Sequence, residues 1–327
     1  YTIWYPQTYA TLEQRLEILT SLSKKYPNPI FQLCKALVNR LDWSTSCSTY
    51  PMRWRRFGQA RPQATYSDII STINHICQLM VDICNLSEEQ VCEMLDIADQ
   101  LSIGEANRIL LFNYIQKNQD HFIGNYAITN KIRHTIYHHK LCSDAQWALN
   151  PDEITKWECL LQDVETKDPI QKHRWMFQDF CLESLEIDRK DHDFPTIYKE
   201  ELRIRSAALR EIYDAHGITG IYEFSQIVEY PQIVGGTYAY ICKQDDFKEI
   251  LDIIKTASSS LQQFAQGFFS GYVDRFGIQK FIDAIKSLKL NKLEDGIRLA
   301  LTAIRTSKAV WQYIETLPED TKSYYWE

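Results

Sequence analysis

Apolar residues recur every three to four positions along most of the chain, which is the spacing of one face of an α-helix. Nowhere do apolar and polar residues alternate over more than a few positions, as they do in a half-buried strand. The pattern therefore predicts an all-α protein of roughly a dozen helices or more, each about ten to twenty residues long. One apolar stripe of this kind consists of Leu12, Leu16, Leu19 and Leu22.

Residues suited to helix starts precede several of these apolar stretches. Helices are predicted at 151–164 and 170–180, each with a proline at its first turn. No fixed sequence period is found, so we expect an irregular array of helical hairpins, an α-solenoid of the HEAT- or TPR-like kind. The capping-box spacing occurs at Thr65 with Asp68, at Ser87 with Gln90 and at Ser102 with Glu105.

Two interruptions of the helical pattern predict the domain organisation. Residues 42–64 form the longest irregular stretch, and residues 183–195 form an acidic, polar linker without the spacing of an EF-hand. We therefore expect an N-terminal helical array over 1–182 and a C-terminal helical array over 196–327. Because the chain begins within the pattern at Tyr1 and closes on aromatic residues, it is predicted to be a segment of a longer protein.

Composition supports long helices and a reducing, cytoplasmic compartment. The chain has 11 Gly and 10 Pro among 327 residues, too few for the many turns of a sheet-rich fold. Its nine Cys are odd in number, scattered and without a C-x-x-C motif, which does not fit a disulfide framework or a zinc ribbon. Charged residues interrupt every apolar run before the length of about 18 residues that a membrane span requires, so no membrane association is expected.

A histidine pair gives the chain a candidate metal site. His134 and His138 are four residues apart, a spacing at which two imidazoles on one helix share a metal, and Cys142 lies one turn further. A zinc protease of the H-E-x-x-H type has Glu after the first His, whereas this chain has Thr135. We favour surface or packing histidines, and a metal-dependent enzyme around His134 and His138 is kept as an alternative.

A basic and aromatic cluster lies in the irregular stretch. Guanidinium groups bind phosphates and aromatic rings stack on bases, so this cluster favours a nucleic-acid-binding scaffold as a second alternative. The net charge of −7 instead favours arginines that pair with nearby acids while the aromatic rings anchor the loop. The candidate binding residues are Arg53, Trp54, Arg55, Arg56 and Arg61, with Phe57 beside them.

Glycines and phenylalanines near the C-terminus are interpreted as packing features. Gly235 and Gly236 lack the flanking pattern of a phosphate-binding loop, and glycines within a helix permit a close approach of a neighbouring helix. Gly267 and Gly271 are four residues apart and predict a similar contact. A stripe at helical spacing is expected to be buried core; it contains Phe264, Phe268, Phe269, Tyr272 and Phe276.

Four stretches resemble one group of very large bacterial proteins, in which an effector or NTPase-like domain precedes a long, degenerate α-helical array. The group is similar to antiphage proteins of the STAND or sirtuin-linked type. The resemblance implies that the array recognises an invader's protein while the other domain kills or signals. The stretches are Trp4-Tyr5-Pro6-Gln7-Thr8 with Leu12-Glu13-Gln14-Arg15-Leu16, Arg53-Trp54-Arg55, Ala148-Leu149 before Pro151, and the segment from Val310-Trp311 to Tyr325-Trp326.

These observations favour a non-catalytic module for protein recognition or scaffolding. No catalytic residue can be assigned and no cofactor is expected, so any catalytic domain should lie outside this segment. The expected partner is a protein held by exposed aromatic anchors. Four tryptophans near breaks in the helical pattern are candidates for such anchors: Trp4, Trp43, Trp54 and Trp147.

Overall fold

A computed structural model of the chain describes residues 10–39, 64–187, 193–243, 246–253, 258–287 and 294–326. In these ranges the regular secondary structure is α-helix with three short 3-10 helices, and they contain no strand, which confirms the all-α prediction. The chain divides into two compact units, residues 1–165 and residues 166–327. Each unit is described by itself.

In the first unit, helices that are close in sequence pack against each other. Two of them, at Leu12–Lys25 and Pro27–Val38, form the predicted helical hairpin, and their apolar faces share one core with the other helices. Fully buried side chains of this core include Phe31, Met80 and Met94. The helices are α1 (Leu12–Lys25), α2 (Pro27–Val38), α3 (Tyr66–Ile83), α4 (Glu88–Ala98), α5 (Glu105–Lys117), α6 (Tyr126–Leu141) and α7 (Pro151–Val164).

Two of the three predicted capping boxes cap their helices. The Thr65 amide donates to the Asp68 carboxylate at 2.8 Å, and the Asp68 amide donates back to the Thr65 hydroxyl at 3.2 Å. The Ser87 hydroxyl accepts from the Gln90 amide at 3.4 Å and caps α4. The third prediction, at Ser102, is wrong and needs a different account.

Gly104, and not Ser102, precedes the first turn of α5. Residues Leu101–Ile103 form a 3-10 helix, and Gly104 then adopts φ +80°, a conformation that glycine reaches without the strain a Cβ would add. Ser102 therefore lies two residues too early to cap α5. Its buried hydroxyl has no hydrogen-bond partner among the described residues.

The second unit is arranged around one helix, α12, which packs against α9, α10, α13 and α14. A surrounded helix differs from stacking in which each repeat contacts only its neighbours. The irregular α-solenoid of helical hairpins therefore stays a prediction. The helices of this unit are α8 (Pro169–Lys172), α9 (Phe194–Ile227), α10 (Pro231–Tyr238), α11 (Asp246–Ile253), α12 (Ser259–Phe276), α13 (Ile278–Ser287), α14 (Glu294–Ala303), α15 (Lys308–Ile314) and α16 (Glu319–Trp326).

Glycines allow α10 and α12 to cross in backbone contact. A Cβ added to Gly267 would lie 2.0 Å from the Gln232 carbonyl oxygen, and one added to Gly271 would lie 2.6 Å from the Gly236 carbonyl oxygen. Both distances are far below van der Waals contact, so the crossing requires glycine and confirms the predicted role of these residues. The phenylalanine stripe beside them is core as predicted, with Phe264, Phe268 and Phe269 fully buried.

The predicted helix at 170–180 is broken into two short pieces, Pro169–Lys172 and a 3-10 helix at Arg174–Phe177. The break directs the Phe177 side chain into the core of the second unit, where its ring packs edge to face against the Phe224 ring. In α9, Gly217 adopts φ +65° and interrupts the helix. Gly220 itself remains helical.

The division between the units lies at residue 165, ahead of the acidic segment 183–195 that was expected to separate two arrays. Residues 166–187 belong to the second unit because their apolar side chains pack there. Leu182 and Ile187 are buried against Ile204 of α9 in a small cluster. The described residues of the acidic stretch, 183–187 and 193–195, thus belong to the second unit.

Candidate binding cleft

A cleft of about 430 Å³ opens in the second unit between the segment after Phe177, the first half of α9, and the crossing of α10 and α12. This volume lies within the range of about 300–1,000 Å³ that small-ligand sites occupy, and it is large enough for one or two bulky side chains of a partner. Its apolar walls include Ile197, Leu202 and Ile233. The other lining residues are Phe180, Cys181, Phe194, Tyr198, Glu201, Arg205, Gln232, Gly236, Thr237, Gln266, Gly267, Ser270, Gly271 and Asp274.

Three aromatic side chains stand at the rim of the cleft with much of their surface open. Phe194 is 74% exposed, Phe180 is 62% exposed and Tyr198 is 49% exposed. Aromatic residues dominate the binding energy of protein interfaces when a partner covers them. Three exposed aromatic residues around one depression form a patch that is typical of an interaction site. Single exposed apolar residues, by contrast, are common on any surface.

The floor of the cleft is the crossing of α10 and α12. Gly236, Gly267 and Gly271 line it there, and the missing side chains of Gly267 and Gly271 let the two helices touch. Polar groups stand around this floor, among them the exposed amides of Gln232 and Gln266. An apolar depression with a few polar groups is the usual composition of a binding site.

A buried ion pair holds the aromatic rim in place. Arg205, which is 4% exposed, donates to the carbonyl oxygens of Met176 at 2.9 Å and of Asp179 and Phe180 at 3.2 Å. Glu201 accepts from the Leu182 amide at 3.1 Å and pairs with Arg205 at 3.5 Å. The Arg205 guanidinium and the Glu201 carboxylate therefore hold the segment that carries Phe180 in place by hydrogen bonds to its backbone.

One end of the cleft is acidic. Asp274 is exposed and forms no ion pair with a described residue. Partial burial raises the pKa of the Tyr198 hydroxyl, and the Asp274 carboxylate raises it further. The pKa of the Tyr240 hydroxyl is raised by burial first, and then by the nearby Tyr198 and Asp274. Both phenols are therefore protonated at neutral pH and remain hydrogen-bond donors. A positively charged group on an occupant would be favoured beside Asp274.

The histidine pair predicted as a candidate metal site lies on the surface of the first unit. The rings of His134 and His138 are nearly parallel, with centroids 6.2 Å apart, and His138 also stacks on Trp147 at 4.7 Å. Among the described residues no group of three or more His, Cys, Asp or Glu side chains is arranged to hold a metal ion. Cys142 therefore does not complete a site with the two histidines.

The neighbouring His139 is buried and hydrogen-bonded, and no role was predicted for it from the sequence. It is 1% exposed; its Nδ1 accepts from the Leu149 amide at 3.1 Å, and its Nε2 donates to the Asp99 carboxylate. Because both ring nitrogens are hydrogen-bonded, neither is available to bind a metal. It fastens the end of α6 to the turn before α7.

Other predicted site residues lie outside the described residues. These are the candidate binding residues Arg53, Trp54, Arg55, Arg56 and Arg61, together with Trp4 and Trp43. Of the four tryptophans expected near the surface, Trp147 is described and is 38% exposed. The cleft residues Phe180, Phe194 and Tyr198 were missed, although two aromatic residues flanking an acidic stretch were a usable signal.

Comparison of the chain with protein-family models, with curated proteins and with solved structures finds no match. None of the described helices combines the length and the apolar character needed to cross a membrane.

Proposed function

We propose that this chain is a non-catalytic helical module that binds a protein partner, and that an apolar segment of the partner occupies the cleft of the second unit. One observation carries the proposal: Phe180, Phe194 and Tyr198 stand exposed around a single depression with apolar walls. Burying such rings against a partner contributes about 1–2 kcal/mol or more for each well-packed anchor.

The chemistry of the cleft defines the preferred occupant. Its apolar walls favour an aliphatic or aromatic side chain, and Asp274 favours a Lys or Arg close to that side chain. The amides of Gln232 and Gln266 can hydrogen-bond to the backbone of the bound segment. The expected ligand is therefore a short segment with an apolar anchor and a neighbouring basic residue.

The resemblance to bacterial antiphage proteins extends the proposal. If the resemblance holds, the partner is a protein of an invading phage. The helical array, an irregular α-solenoid, is then the recognition part of a larger protein. This extension is supported by the sequence motifs alone, and the closing motif contains Trp311 and Trp326. Their rings lie 6.2 Å apart and are both about half exposed.

Selection from a phage-displayed library of short random peptides tests the proposal without knowledge of the natural partner. The selected peptides should carry an apolar anchor beside Lys or Arg. Their affinity for the full chain should fall at least about tenfold on Phe194→Ala or Tyr198→Ala. Tyr66→Ala is the matched control, because Tyr66 is 73% exposed on the first unit and lies outside the cleft.

Two results would refute the proposal. One is a library that yields no peptide with saturable binding to the chain. The other is a set of peptides that bind Phe194→Ala and Tyr198→Ala as well as they bind the unchanged chain. Arrays that tile phage proteins then test the antiphage extension separately, because random peptides can succeed where the phage sequences fail.

A further inference from the structure

A second cavity in the same unit, of about 550 Å³, has a different chemistry from the cleft. It lies between the end of α10, α11, the last turns of α12, and α13. Its walls are partly aromatic, with Phe247 buried and Tyr272 and Phe276 half-buried. The other lining residues are Cys242, Lys243, Lys248, Lys280, Asp283, Ala284 and Ser287.

The lining of this cavity is positively charged although the chain carries a net charge of −7. Among the described residues, Lys243, Lys248 and Lys280 line it, against the carboxylate of Asp283. Within the described ranges, none of these three lysines forms an ion pair with a carboxylate side chain. A local excess of unpaired cations in an acidic protein is the electrostatic signature of an anion site.

Neighbouring acids engage one of the three lysines. The Lys243 ammonium group is hydrogen-bonded to the Tyr213 hydroxyl and lies near the Asp246 and Asp214 carboxylates. The carboxylate of Asp246 also accepts from the Tyr238 hydroxyl and from the Lys243 amide, each at 2.7 Å. The Asp283 carboxylate accepts from the Gln279 side chain at 3.0 Å, so the ammonium groups of Lys248 and Lys280 remain for a ligand.

Aromatic rings form cation–π contacts with two of the lysines at the cavity. The Lys280 ammonium group lies 5.6 Å from the centre of the Phe276 ring, and the Lys243 ammonium group lies 4.7 Å from the centre of the Tyr213 ring. Burial raises the pKa of the Cys242 thiol to about 11, so this group is neutral and adds no negative charge. The cavity therefore combines held cations with apolar walls.

We propose that this cavity binds an organic anion that carries two or more phosphate groups and has the size of a nucleoside diphosphate. Lysine ammonium groups are common ligands of phosphate oxygens, and the aromatic walls suit the apolar body of such a molecule. The volume lies within the usual range of small-molecule sites. The inference is independent of the cleft, since the two cavities share no lining residue.

Calorimetric titration of the full chain at low salt, without divalent cations, tests the proposal with three probes: ADP, inorganic pyrophosphate and adenosine. ADP should bind saturably and several-fold more tightly than pyrophosphate, and adenosine should bind more weakly than both. Lys248→Ala and Lys280→Ala should each weaken ADP binding about tenfold. Added salt should weaken it as well, because the contacts are ionic.

Lys199→Ala is the matched control, since Lys199 is an exposed lysine of α9 in the same unit and does not line the cavity. It should leave the affinity for ADP unchanged, and so should Phe194→Ala at the cleft. The proposal is overturned if ADP shows no saturable binding, if pyrophosphate binds as tightly as ADP, or if Lys199→Ala weakens binding as much as Lys248→Ala.

Discussion

Gly235 lies in direct contact with the backbone of Phe264: a Cβ atom at Gly235 would lie 1.8 Å from the Phe264 carbonyl oxygen. The contact brings α10 onto α12 so closely that no side chain fits between the two helices. It also fixes the floor of the cleft, because Gly236 and Gly267 belong to the same crossing. The geometry of the proposed binding site therefore depends on this pair of residues.

Gly235→Ala should destabilise the second unit by about 3 kcal/mol or more, because the helices must separate to admit the methyl group. Gly236→Ala is the matched control, since its Cβ would lie 3.6 Å from the Gly267 carbonyl oxygen, an ordinary contact. Alanine also has the higher helix propensity, by about 1 kcal/mol, so Gly236→Ala should be neutral or slightly stabilising. Urea denaturation followed by circular dichroism measures both, and equal midpoints for the two variants would disprove the close crossing.

Arg205→Met should cost about 3–5 kcal/mol of the free energy of unfolding, because it removes the buried guanidinium group that pairs with the Glu201 carboxylate and donates to three carbonyl oxygens. Arg203→Met is the control: Arg203 pairs with Glu186 and Glu200 on the surface, where ion pairs contribute little. Its denaturation midpoint should match that of the unchanged chain. A small effect at Arg205 would show that the ion pair does not hold the rim.

His139→Ala should destabilise the first unit by about 2–3 kcal/mol, because it leaves the buried Leu149 amide without an acceptor and opens a cavity. His138→Ala, at the next position, removes an exposed ring and should cost much less. The same denaturation experiment compares the two variants. A larger loss for His138→Ala than for His139→Ala would contradict the structural role given to His139.

Acid should weaken the second unit partly through Glu211. Hydrogen bonds from His173, at 2.7 Å, and from Lys172, at 3.0 Å, hold the pKa of the Glu211 carboxyl below its usual value. The unfolded chain therefore binds this proton more readily, so the contribution is present above about pH 4.3 and is lost as the pH falls further. Glu211→Gln should show a smaller loss of thermal stability between about pH 5 and pH 3 than the unchanged chain. Parallel pH profiles for the two proteins would argue against this ion pair.

Local patterns in the sequence were sufficient for much of the helical structure. The helix at 151–164 has the predicted bounds, the apolar stripe from Leu12 to Leu22 lies on α1, and the glycines of α10 and α12 were correctly assigned to close packing. These features depend on residues near in sequence or on a side chain too small to have another role. Their physical causes are therefore visible in a single sequence.

The cleft could not be predicted because it depends on distant residues. Phe180 was placed inside a helix, whereas Arg205, 25 residues later, takes up the carbonyl oxygens that such a helix would use. The break between the units was misplaced for a similar reason, since Phe177 enters the core of the second unit. Neither contact leaves a periodic signal, because tertiary packing overrides the local pattern.

Alkylation of Cys181 by a maleimide tests the central claim most directly. Cys181 is an exposed thiol that lines the cleft, and Cys159 is an exposed thiol on α7 of the first unit, which serves as the internal standard. With a selected peptide bound, the account predicts that Cys181 reacts at least about tenfold more slowly while Cys159 is unaffected. Unchanged rates at Cys181 under saturating peptide would contradict the claim that this cleft is where the chain binds its partner.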